Sequence, residues 1–116
     1  MSLIEEIEKL GANLEDAMDR LMNNKELYER MLKRLPDAVE KARVKAAFDA
    51  KDYDAAEKSA HALKGVAGNL SLEKLYEGYT KIVDLLREGK PSEAEALFEK
   101  TLEQERPIVE CIKKYL

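Results

Sequence analysis

The sequence predicts an all-α protein: an antiparallel four-helix bundle with a short N-terminal helical extension. Three observations carry that expectation. Long stretches place apolar residues three and four apart, the spacing that lines one face of a helix. The interruptions between them are short, so successive helices fold back on one another. No stretch alternates apolar and polar residues for long, and no Asn-Gly or Asp-Gly pair marks a hairpin turn. With 116 residues, 38% charged and 45% hydrophobic, the chain has the size and mix of one helical domain spanning residues 1–116.

The elements follow in order. Ile4, Ile7 and Leu10 sit at helical spacing in a lead over residues 3–10. Gly11-Ala12-Asn13 interrupts it, and Asn13 suits the N-cap of a short helix carrying Leu14, Ala17, Met18 and Leu21. Asn23-Asn24 stop that helix. A longer one starts near Lys25, with a stripe of Leu27, Met31, Leu35, Val39, Ala42 and Ala46 ending around Phe48. Pro36 lacks an N–H and clashes with the preceding turn, so a kink or break is expected there. Residues 49–54 form the next connection.

A helix from about Tyr53 to Leu70 has the core stripe Ala56, Ala60, Leu63, Ala67 and Leu70. Ser71 suits the N-cap of the helix after it, with Glu73 in the first turn. That helix buries Leu72, Leu75, Tyr79, Ile82 and Leu86, with Tyr76 packing at its flank, until Gly89-Lys90-Pro91 stops it. Ser92 and Glu95 have the spacing of a capping box. The last helix buries Leu97, Phe98, Thr101, Leu102, Ile108 and Ile112, with a kink expected at Pro107. Cys111 reads as a small buried apolar group, and the methionines after Met1 as core filler.

Composition excludes several functions. A single cysteine rules out an internal disulfide and cysteine-rich metal sites, and fits a reducing cytoplasm. A net charge of −4, with bases interleaved among acids, argues against nucleic-acid binding. The apolar runs are too short to cross a bilayer. The opening Met1-Ser2-Leu3-Ile4-Glu5-Glu6 turns acidic at once, unlike a signal peptide. No Gly-rich nucleotide loop is present, and one His with one Cys cannot supply a transition-metal site.

The chain's one histidine is the candidate for chemistry. At about 100° per residue, His61 falls roughly 140° from the centre of its helix's core stripe, on the outer face. Lys58, Lys64, Gly65 and Gly68 lie on the histidine's own stripe, at offsets of three, four and seven. Each glycine costs the helix about 1 kcal/mol relative to alanine. Small residues for helix packing are already supplied by Ala56, Ala60 and Ala67, so outward glycines instead clear room for a partner's backbone. The bland alternative is an ordinary exposed histidine. An imidazole is itself a nucleophile, and with an ammonium one turn away and a cleared surface it suits carrying a phosphoryl group.

Ala60-His61-Ala62-Leu63-Lys64-Gly65-Val66-Ala67-Gly68-Asn69-Leu70-Ser71 resembles the signature of histidine-containing phosphotransfer (HPt) domains. The family pattern is His-x-Leu-Lys-Gly, a stretch of small residues, then a glycine before the next helix. Helix order and spacing resemble the family from about Leu14 to Leu86. The resemblance implies a four-helix bundle acting as a passive phosphorelay carrier, not an enzyme. His61 would accept phosphate from a receiver-domain aspartate or a histidine kinase and pass it to a response-regulator aspartate. Lys64 would stabilise the phosphoryl charge or contact the partner. Gly65 would permit close docking, assisted by Gly68, with Lys58 on the same face. No cofactor is implied in this chain; Mg²⁺ is expected in the partner receiver domain. Two departures stand out. Ser71 replaces the common glycine, and Val83 stands where some members place a glutamine that bonds the imidazole, leaving Thr80 or Tyr79 to orient it. Two other functions fit the same residues: a degenerate relay adaptor that docks partners without phosphate, and the phosphoacceptor domain of a larger sensor kinase.

Overall fold

The computed structural model describes residues 1–116, which form eight helices and no strand. They are α1 (Leu3–Lys9), α2 (Leu14–Arg20), α3 (Lys25–Leu32), α4 (Leu35–Ala42), α5 (Val44–Asp49), α6 (Tyr53–Asn69), α7 (Glu73–Arg87) and α8 (Pro91–Lys113). Helix α6 packs on α7, α7 on α8, and α4 on both α6 and α8, which closes a four-membered ring. Three-residue connections at 70–72 and 88–90 reverse the chain between the long helices. Helix α1 packs on α8 and α3, and α2 on α3. One cluster of 28 buried apolar residues runs through the bundle.

Caps explain where the helices begin. Asn13, Asn24 and Asp52 each accept from the backbone N–H three residues on, and Ser2 with Glu5 forms a full capping box. Several helices end alike: the chain turns into a left-handed residue and closes two bonds back onto the last turn. Gly11 and Gly89 do this at φ +112° and +74°. Lys51 and Ser71, both at φ +55°, do it without being glycine.

This ending corrects the role expected of Ser71. Its N–H donates to the Gly68 carbonyl (3.1 Å), and the Leu72 N–H donates to the Ala67 carbonyl (3.0 Å). Ser71 thus closes α6 and does not cap α7, whose N-cap is Leu72 with no side-chain bond. A left-handed residue at this point is where glycine fits most freely, and here serine takes that conformation. The Ser92–Glu95 capping box is also absent. Pro91 opens α8 after Lys90, which places Ser92 already inside the helix. Helix α8 runs on continuously through Pro107.

The expected helix from Lys25 to Phe48 is three helices. Pro36 sits in the first turn of α4, as its missing N–H favours, and the break falls just before it. A second break comes at Arg43, which is left-handed at φ 53°. Each break shifts the helical phase. The buried residues are therefore Tyr28, Leu32, Leu35, Pro36, Val44, Ala47 and Phe48, whereas Leu27, Met31, Val39 and Ala42 are only half-buried and Ala46 is exposed. In α1, Leu3 takes the core place expected of Leu10, which is 40% exposed at the helix end. Of the methionines, Met18 is buried, Met31 half-buried, and Met22 fully in solvent. In contrast, all five stripe residues of α6 are buried, and so is Cys111.

Helices α7 and α8 approach closely at Gly78. A Cβ there would fall 2.6 Å from Thr101 Oγ1 and 2.9 Å from its Cγ2, so only glycine fits. One turn along, the core takes in a charged residue. Glu105 is 3% exposed and accepts a short hydrogen bond from the Tyr79 hydroxyl. Burial pushes the Glu105 carboxyl above its usual 4.5, with the Tyr79 bond and nearby Arg106 pulling partly back. The folded protein therefore holds this proton more tightly than the unfolded chain. Its stabilising effect is complete below pH 4.5 and is lost as pH rises through the raised folded value. Glu105→Gln keeps an acceptor for Tyr79 and cannot ionise. Its melting temperature should exceed that of the wild type at pH 8, with the gap narrowing toward pH 4. Parallel melting curves across that range would mean the carboxyl never loses solvation on folding.

Candidate functional site

Helix α6 builds the site because its two faces differ. Ala56, Ala60, Leu63, Ala67 and Leu70 anchor one face in the core. His61 and Gly65 are exposed on the other, with Lys64 and Gly68 half-buried at its margin. His61, Lys64, Gly65 and Gly68 line one open groove of about 470 Å³ together with α2 and the start of α7. Lys58 is exposed on α6 but outside that lining.

The two glycines have different surroundings. At Gly65 nothing lies within 4 Å of where a Cβ would point, so the surface beside His61 is open, and its backbone shows no positive φ. At Gly68 a Cβ would stand 3.1 Å from Tyr76 Cδ1 and 3.2 Å from Cε1. That place is taken by an aromatic ring. Tyr76, expected to pack at the flank of its helix's core stripe, is 41% exposed and covers Gly68. The Lys64 ammonium lies 5.9 Å from the centre of the same ring.

Helix α2 contributes groups that no local pattern in the sequence marks. Arg20 donates to the Gly68 carbonyl and, at 3.4 Å, to Asn69 Oδ1, while pairing with Asp16 at 3.7 Å. A cation at the end of α6 adds a bond to a carbonyl that already accepts from the Ser71 N–H, and its charge suits the negative end of the helix dipole. The Ser71 hydroxyl donates to Asp16 Oδ2 (2.7 Å), and Asn13 Nδ2 donates to Glu73 Oε1 (2.6 Å). Three side chains of the N-terminal extension thus tie down the corner between α6 and α7. The residues 48 to 60 positions apart that meet here carry no shared signal in sequence.

Neither residue expected to orient the imidazole does so. Tyr79 is buried and committed to Glu105, and the Thr80 hydroxyl donates to the Tyr76 carbonyl of its own helix (2.7 Å). Val83 is in the core. An unencumbered, solvent-facing imidazole that shares a groove with Lys64 and an open backbone surface is equipped to act as a nucleophile toward a group brought by another molecule.

No curated protein and no solved structure matches the chain. A family model described as the Hpt domain matches residues 2–108 of 116. Hpt domains are helical phosphotransfer carriers that interact with receiver domains and histidine kinases in two-component signalling. An exposed histidine on a bundle helix, followed by Lys64-Gly65 and closed by a left-handed residue, is set in a fold matched over nearly its whole length: this chain belongs to the Hpt domain family.

Proposed function

We propose that this chain is a cytoplasmic phosphorelay intermediate in which His61 receives a phosphoryl group from a receiver-domain aspartate, or from a sensor kinase, and delivers it to the aspartate of a response regulator. The observation that carries this is the open space at Gly65 beside an exposed His61. A receiver's backbone can come down onto that surface and bring its phosphoaspartate in line with the ring.

In the step, the lone pair of the unprotonated ring nitrogen forms an N–P bond as the P–O bond to the partner's aspartate breaks. The aspartate leaves as a carboxylate, and the proton on the other ring nitrogen stays in place. The transferred group carries its charge on three oxygens, so positioning and charge neutralisation are the main needs. Mg²⁺ bound in the receiver's acidic pocket offsets most of that charge. From this chain, Lys64 adds one positive charge and α6 a rigid platform. The direct test is incubation with a panel of phosphorylated receiver domains, scoring acid-labile phosphate on the chain. Receivers that bind without transferring phosphate would identify an adaptor instead.

Lys64→Ala should slow transfer without stopping it, because the partner supplies most of the charge stabilisation. The slowing should shrink as added salt screens the ammonium. Transfer at the wild-type rate in low salt would make Lys64 an ordinary solvated residue.

A further inference from the structure

We infer that Tyr76 is a positioning residue for Lys64: its ring, seated on the bare backbone of Gly68, holds the ammonium at the edge of the His61 groove. The inference rests on the phosphorelay function proposed above. Three observations place the parts. Tyr76 is 41% exposed, unlike its α7 neighbours Leu75 and Tyr79, which are buried. Its ring edge comes within 3.1–3.2 Å of the point a Cβ on residue 68 would occupy, so the ring sits closer to this backbone than an alanine would comfortably allow. The Lys64 ammonium lies 5.9 Å from the ring centre, within the range at which a cation is attracted by an aromatic face.

Lysine carries its charge on a four-carbon stem with many rotamers, and an unheld ammonium spends much of its time away from the acceptor. No carboxylate pairs with Lys64, whereas seven other basic side chains do form ion pairs. The aromatic ring restrains the stem without neutralising the charge, as a carboxylate would. The ammonium stays available to phosphoryl oxygens arriving at His61. Gly68 thus has a different purpose from Gly65: one seats the ring that steers the lysine, the other leaves the docking surface clear.

The test is a double-mutant cycle on phosphotransfer from a phosphorylated receiver, with His61→Gln as the control. Tyr76→Leu should slow transfer roughly two- to fivefold in the wild-type background, the range set by an exposed cation–aromatic contact. In the Lys64→Ala background the same change should have no further effect. Tyr76→Phe, which keeps the ring, should recover the rate lost in Tyr76→Leu. Nuclear magnetic resonance gives a readout independent of transfer. The Lys64 ε-methylene protons should show a ring-current shift in the wild type and in Tyr76→Phe, and lose it in Tyr76→Leu. Slowing by the same factor in both backgrounds would assign Tyr76 to direct contact with the receiver and overturn the positioning role. An unchanged rate in Tyr76→Leu, or an unchanged Lys64 shift, would overturn it as well. A wild-type chain that accepts no phosphate, or a His61→Gln chain that accepts it normally, would bring down the phosphorelay function itself.

Discussion

His61→Gln should abolish acid-labile phosphorylation while leaving helix content and melting temperature nearly unchanged. The chain has one imidazole, so phosphohistidine can form at one position only. His61 is exposed on α6, apart from the core stripe of that helix, so its replacement removes no buried contact. Glutamine is a good helix former and resembles the imidazole in polarity and reach, but its amide nitrogen is not nucleophilic. Exposed substitutions of this kind usually change stability by under about 0.5 kcal/mol. The two readouts are circular dichroism through a thermal melt, and phosphate on the chain after incubation with a phosphorylated receiver. Phosphate retained at the wild-type level on a folded variant would place the acceptor elsewhere.

The parts of the molecule legible from sequence are those where one helix runs uninterrupted. In α6, seventeen residues keep a single phase, so the arithmetic that buries Ala56 through Leu70 also turns His61 outward. Between residues 25 and 49 the same arithmetic fails. Arg43 enters the left-handed region without being glycine, and with the Pro36 break it resets the phase twice in under twenty-five residues. Local chemistry also misled at Ser71 and Ser92: serine is a good N-cap, but the preceding helix ending claimed the first and Pro91 moved the helix start past the second. Glu105 lies on the buried face of α8, yet charge reads as surface until Tyr79 is seen opposite it. The candidate site divides the same way. His61, Lys64, Gly65 and Gly68 share a helix face within eight residues and can be found by spacing. Arg20, Asp16 and Tyr76 come from other helices, and only tertiary packing brings them to the groove.

Gly65 should show stability and function moving in opposite directions. Its backbone is helical with no positive φ, and no atom lies within 4 Å of a Cβ built there. Gly65→Ala should therefore stabilise the isolated domain by up to about 1 kcal/mol, by raising helix propensity and by reducing the freedom of the unfolded chain. Gly65→Gln should also fold, because the longer side chain points into solvent. Gly68 differs, since a Cβ there would press on the Tyr76 ring. The open surface at Gly65 is the ground a receiver's backbone would cover to bring its aspartate to His61. A methyl group intrudes on that ground slightly, and a glutamine fills it. Transfer should fall modestly in Gly65→Ala and by roughly tenfold or more in Gly65→Gln, where about 1.4 kcal/mol of lost docking already gives tenfold. The comparison is a thermal melt and a transfer rate on the same two variants. A Gln variant that unfolds would make the glycine structural. A Gln variant that melts normally and transfers at the wild-type rate would mean that receivers reach His61 without covering Gly65.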